Sequence, residues 1–209
     1  MKKNPNRTRR ALVAAFAVSP LAAPLASLAQ SRPEYTEIKP PLPPEGTPGK
    51  VEVVEFFWYG CPHCYRLEPQ IEAWLKKLPS DAEFRRVPAV FNERWAVDAT
   101  IFYAFDALGV LPKLHWPLFE AIHRNGLVTT NRQALDEWLT KNGVDAKKFE
   151  DTAKSFGVQA KVRRAAKLTL DSKIDGTPAM TVAGRYLVPN GEQILATVDK
   201  LIDTARKQK

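Results

Sequence analysis

The chain has only two cysteines, and they stand three apart as Cys61-Pro62-His63-Cys64. A structural disulfide between them would close a loop so short that chain entropy yields only about 2 kcal/mol. A metal site would need two further ligands. His63 lies inside the ring, and His115 and His123 stand eight apart, which fits no usual zinc spacing, so no metal is expected. Redox chemistry asks for less. A cysteine at the first turn of a helix faces unpaired N–H groups and the positive end of the helix dipole, which favour a thiolate. Cys61 has that place, Pro62 suits the helix start because its missing N–H is not needed there, and the His63 imidazole could reach the same sulfur. Cys64, one turn on and deeper, suits a shielded partner. Stabilising the thiolate stabilises the reduced form, so the disulfide would be oxidising and Cys61 a good leaving group.

The surrounding pattern supplies the elements that must hold this pair. Val51–Trp58 is β-branched and aromatic on both faces, as in a strand buried within a sheet. After the cysteines, Leu67, Ile71, Trp74, Leu75 and Leu78 recur at helical spacing as far as Pro79, and Ala82–Val90 predicts a second strand. From Asn92 to about Ala165 four amphipathic helices are expected, with Asn131 and Asp145 as caps and one helix running from Asp145 through Phe149 and Phe156. Strand character returns after Asp175-Gly176-Thr177-Pro178, with a hairpin over Ala179–Val188 and a last helix over Gly191–Lys207. Strand, helix, strand, helical block, hairpin and helix describe an α/β fold. The expected division is residues 50–91 and 166–209 as one domain, with an inserted helical domain over 92–165.

Residues 1–29 carry Lys2, Lys3, Arg7, Arg9, Arg10 and no acid, then an uncharged stretch ending in Ser27-Leu28-Ala29. This is the pattern of a cleavable secretory signal peptide; Pro20 and Pro24 argue against a stable membrane span. Arg9-Arg10 loosely matches a twin-arginine signal, which leaves the export route open. The whole chain has 31 basic and 23 acidic residues, a formal +8, but without the leader it falls to about +3. Nucleic acid therefore drops out as the default partner. Residues 30–49 contain Pro33, Pro40, Pro41, Pro43, Pro44 and Pro48 and read as an arm outside the core.

Glu55-Phe56-Phe57, Cys61-Pro62-His63-Cys64-Tyr65 and Gly176-Thr177-Pro178-Ala179-Met180 together resemble the DsbA family of periplasmic thiol:disulfide interchange proteins, from about Lys50 to Lys207. A strongly lowered cysteine pKa and a strongly oxidising disulfide are known family properties that come with the resemblance. The resemblance implies a thioredoxin-like fold with an inserted helical domain, oxidation of newly exported proteins, and reoxidation by a quinone-linked membrane partner of the DsbB type. It also implies a cis peptide before Pro178, beside the disulfide, with Thr177 offering backbone to a substrate strand and a hydroxyl to the sulfur. Pro69 stands where thioredoxins kink the helix. In the family an acid at Glu55 lies beneath the cysteines with a basic neighbour, commonly Lys. Arg86 occupies that place in the next strand, and because Arg does not release its proton, a proton-handling role competes with a simple buried ion pair.

The expectation is a monomeric periplasmic dithiol oxidase that needs no cofactor beyond its own Cys61–Cys64 disulfide. The competing expectations are a disulfide isomerase or reductase, and a peptide-binding holdase, its disulfide merely structural, that uses whichever of Phe57, Trp58, Tyr59 and Tyr65 are exposed as an apolar surface, Phe57 above all being expected in the core. Residues 30–49 are too few for the dimerisation domain that isomerases of this superfamily add. Lys161, Arg163, Arg164 and Lys167 are read as a solvated helix face.

Overall fold

Val51–Phe57 is buried at every residue and lies inside a five-stranded sheet. The computed structural model describes residues 33–208, so the expected leader over 1–29 lies outside the described residues. The strands are β1 (Thr36–Glu37), β2 (Val51–Phe57), β3 (Ala82–Pro88), β4 (Ala179–Val182) and β5 (Tyr186–Val188), in the order β1-β5-β4-β2-β3. β2 and β3 are parallel and the other pairs antiparallel. A parallel pair needs a crossover, and α1 (Pro62–Leu75) supplies it. Between β3 and β4 the chain forms α2 (Glu93–Ala107), α3 (Leu111–His123), α4 (Arg132–Lys141), α5 (Ala146–Ala153) and α6 (Phe156–Asp171), and it ends in α7 (Ile194–Arg206). This is a thioredoxin-like fold with an inserted helical domain.

Alternation along β2 sends side chains to two cores. Val51 and Val53 join Leu67, Ile71 and Trp74 of α1 and Val198, Leu201 and Ile202 of α7. Val54 and Phe56 face the other way, towards Val87, Ala165 and Ala179. A third core belongs to the helices: Phe102 and Phe105, Leu114, Leu118 and Phe119, Leu135 and Leu139, and Phe149. Phe57, Tyr59 and both cysteines are part of that third core. The redox pair thus sits on the seam between sheet and helical block. Burying each Leu- or Phe-sized side chain contributes about 1.5–3 kcal/mol, so the seam is held firmly.

Three local features depart from the sequence reading. The expected helix from Asp145 through Phe156 is two helices, because Ser155 accepts a bond from the Val158 N–H and caps a new one. That new helix, α6, is continuous across 165/166, where the domain boundary was expected. The proline-rich arm is not wholly outside the core: β1 pairs with β5, Ile38 is buried, and its N–H donates to the Arg185 carbonyl at 2.7 Å. The β4–β5 connection is Ala183-Gly184-Arg185, with the Arg185 N–H on the Val182 carbonyl at 3.0 Å and both central residues of that turn, Ala183 and Gly184, at positive φ. Gly184 is needed twice over, since a Cβ there would lie 2.5 Å from the Leu42 carbonyl of the arm.

Candidate active site

Cys61 is the N-cap of α1, with extended backbone, and Pro62 opens the helix. The Cys61 N–H is held by the Trp58 carbonyl at 2.9 Å, and its Sγ accepts from the Cys64 N–H at 3.4 Å. The sulfur thereby takes the place of a capping oxygen at the positive end of the helix. Both cysteines are thiols here, Cys61 6% exposed and Cys64 0%, so only Cys61 can be reached from outside.

The same geometry separates their acidities. A hydrogen bond from Cys64, the Thr177 hydroxyl and the main-chain N–H groups of Cys64 and His63 outweigh burial and bring Cys61 down to about 5. Burial, the neighbouring Cys61 sulfur and Glu55 drive Cys64 well above the ordinary thiol range. Thr177 meets the sulfur in two opposed ways. Its carbonyl accepts from the Cys61 thiol at 3.2 Å, favouring the thiol, whereas its hydroxyl favours the thiolate, and the sum of all contacts lowers the pKa. The Thr177–Pro178 peptide is cis. The His63 ring is exposed and accepts from Arg66 at 3.0 Å, so the histidine serves the sulfur through its main-chain N–H rather than the expected imidazole.

Glu55 and Arg86 face each other in the β2–β3 register. The Glu55 carboxyl is fully buried, and Arg86 Nε stands 3.3 Å from Oε2. The pair is misaligned for a hydrogen bond, and neither Glu55 oxygen has a hydrogen-bond partner. Burial first, then the charge of Glu68, raise Glu55 to about 8 against the pull of Arg86, so at neutral pH it is mostly a neutral acid. Arg86 is turned instead towards α1, where it donates to Glu68 and, at 2.9 Å, to Glu72. Glu68 is 2% exposed, and burial would raise it; the nearby His115 ring and the charge and hydrogen bond of Arg86 hold it below the carboxylate range.

The sequence reading missed Glu68 and His115. Glu68 lies one turn after Cys64 within the buried stripe Cys64, Leu67, Ile71 and Trp74, and an acid in an apolar stripe was the available signal. His115 was weighed only as a spare metal ligand. Of the aromatics, Phe57 and Tyr59 are core; Trp58 stacks on Trp95 with centroids 4.4 Å apart, and Tyr65 stacks between Trp116 and His123. Trp58 also folds back over Gly60, where an added Cβ would lie 2.3 Å from the indole.

A thioredoxin-like sheet with a low-pKa cysteine capping the first helix, a shielded partner one turn on and a cis-proline beside them defines a thiol:disulfide oxidoreductase. Comparison with known proteins narrows this. A family model described as "DSBA-like thioredoxin domain" matches residues 75–203. A "Thiol:disulfide interchange protein DsbA" of Azotobacter vinelandii is 42% identical over 178 residues, covering 83% of each chain. One of Bordetella parapertussis is 42% identical over 206 residues, 96% of this chain and 97% of the relative. The crystal structure of Pseudomonas aeruginosa DsbA superimposes with a TM-score of 0.77 at 37% identity, covering 84% of this chain and 93% of that one. The oxidoreductase DsbA from Xylella fastidiosa gives 0.78 at 34% identity, covering 83% and 96%. The chain belongs to the DsbA-like thioredoxin family, and thiol-disulfide exchange is its activity at family level.

Proposed function

We propose that the protein is a periplasmic dithiol oxidase that donates a Cys61–Cys64 disulfide to newly exported polypeptides. The observation that carries this reading is the asymmetry of the two cysteines: an accessible Cys61 brought down to about 5 and a Cys64 that is fully buried and pushed up. A substrate thiolate attacks Cys61 Sγ, the Cys61–Cys64 bond breaks, and Cys64 leaves and takes up a proton. A second substrate thiolate then attacks the substrate sulfur of the mixed disulfide. Cys61 departs as a stable thiolate, the substrate has lost two electrons, and the enzyme holds them as a dithiol.

Pro62 opens the capped helix and His63 contributes its N–H. Thr177 and Pro178 offer the substrate a strand edge beside the sulfur, and Glu55 with Arg86 tunes the pair from beneath. No bound cofactor is required, because the disulfide is itself the oxidant. The electrons must leave through an external acceptor, for which a DsbB-like quinone-linked membrane oxidase is the reading the family supports. Export by the leader at 1–29 puts the protein where disulfides persist. Among the described residues no helix is long and apolar enough to cross a membrane. The near-balanced charge of the remaining chain fits polypeptide substrates rather than nucleic acid, and the protein acts as a monomer.

The test is replacement of Cys61 by Ser in cells that lack their own dithiol oxidase. Loss of disulfides in exported proteins is expected, and a variant that still supplied them would refute the reading. The equilibrium of the wild-type protein with glutathione separates the oxidase from a reductase: the oxidase must lie far towards the reduced enzyme.

A further inference from the structure

His115 joins the helical block to the redox centre. It lies on α3, 7% exposed, inside a cage of Phe57, Tyr59, Phe102 and Phe119 whose ring centroids all stand within 5.9 Å of its own. The cage fixes the ring plane, and two polar groups meet its edge. The Tyr59 hydroxyl is 2.8 Å from Nδ1, and Glu68 Oε1 is 3.4 Å from Nε2, close enough for electrostatic contact though not aligned as a hydrogen bond. The Tyr59 hydroxyl is fully buried and has no second hydrogen-bond partner among the described residues, so its O–H must donate to Nδ1. That assigns the ring proton to Nε2, aimed at the Glu68 carboxylate. The same Glu68 oxygen receives Arg86. Burial keeps the imidazole neutral, lowering its pKa against the opposing charge of Glu68.

We infer that His115 is a positioning residue of the exchange reaction: its Nε2–H fixes the negative charge of the buried carboxyl pair on Glu68 and so keeps it off Glu55, beneath the cysteines. Glu55 and Glu68 compete for one cation, Arg86, and two carboxylates sharing a cation do not ionise alike. The positive end of the Nε2–H dipole, 3.4 Å from Glu68 Oε1 and on no oxygen of Glu55, breaks the tie. The choice matters because Glu55 is the carboxyl whose charge meets the Cys61 thiolate and the Cys64 thiol; Glu68 is coupled instead to His115 and Arg86. The charged and titratable groups of the cluster are Glu55 from β2, Tyr59 from the following loop, Glu68 and Glu72 from α1 and Arg86 from β3, with Asp98 of α2 bearing on Tyr59. His115 is the contribution of α3.

The inference rests on the proposed role of Cys61. Titrating the thiolate absorbance of the reduced wild-type protein tests that role by itself, before any variant is compared. Two variants of equal polarity then isolate the Nε2–H. His115→Gln places an amide N–H where Nε2 stood, within reach of Glu68. His115→Asn can meet Tyr59 but stops short of Glu68. In His115→Asn charge moves partly to Glu55 and opposes the thiolate. Its Cys61 pKa should rise by about half a unit, which lowers the equilibrium constant for reduction by glutathione about threefold. His115→Gln should stay near wild type in both. The onset of the pH-dependent weakening of oxidising power, expected near the Glu55 value of about 8, should come at lower pH in His115→Asn only. Equal shifts in the two variants would assign His115 to packing, and no shift in His115→Asn would overturn the inference outright.

Discussion

β2 carries two buried acids, and their surroundings differ in kind. Glu52 is 6% exposed and receives Arg85 at 2.6 Å, an aligned hydrogen bond. Arg85 reaches on to Glu45 at 3.3 Å, and Glu45 meets Arg164 at 2.8 Å. This is a bonded chain of alternating charges at the edge of water. Three residues along the strand, and so on the opposite face, Glu55 has no hydrogen bond and shares its arginine with Glu68 and Glu72. The first arrangement satisfies its charges and can only stabilise. The second leaves one carboxyl poised between two protonation states under a pair of sulfurs. Burial alone therefore does not mark a functional acid; burial without a satisfied partner does.

Removing each arginine should break the comparison most visibly. Arg86→Met leaves the buried Glu68 and Glu55 without their cation and should cost about 3–5 kcal/mol in urea unfolding. Arg85→Met, whose group is partly solvated, should cost about 1 kcal/mol or less. Equal losses would show the two pairs to be alike.

A second difference lies in pH dependence. Glu55 has a folded-state pKa of about 8 against an ordinary 4.5, so between those values the folded protein binds more protons than the unfolded chain. Its contribution is fully present below about 4.5 and is lost as pH rises through 8, with a slope of about 1.4 kcal/mol per pH unit at most. Glu55→Gln should flatten stability over that window. Smallest of all should be the effect of Glu52→Gln on the glutathione equilibrium, expected to be none; a shift there would mean the far pair also reaches the cysteines.

Much of the site was legible because its parts are local. Cys61 to Cys64 follow a strand whose residues are apolar on both faces, and Glu55 stands out as an acid within it; the family resemblance asked for a basic neighbour, and Arg86 had the matching place in the next strand. Glu68 and His115 were harder because their burial depends on partners in other elements, and periodicity records that a position faces inward without saying what it meets. The edge strand β1 was hidden for a similar reason. Thr36–Glu37 has no strand pattern of its own beside the prolines, and only pairing with β5 gives it one. The split between α5 and α6 turned on a single serine hydroxyl.

Gly60 gives the loop before Cys61 a tolerance rule of its own. The Trp58 indole fills the space a side chain at 60 would need, and Trp95 stacked at 4.4 Å leaves the indole nowhere to retreat. Positions 58 and 60 are therefore coupled in sequence space. Gly60→Ala alone should be destabilising, yet close to neutral in a chain that already carries Trp58→Ala, and the double-mutant cycle should return an interaction energy of about 1 kcal/mol or more. Drift at either position is constrained by the other, so the approach to the nucleophile can change only by paired steps.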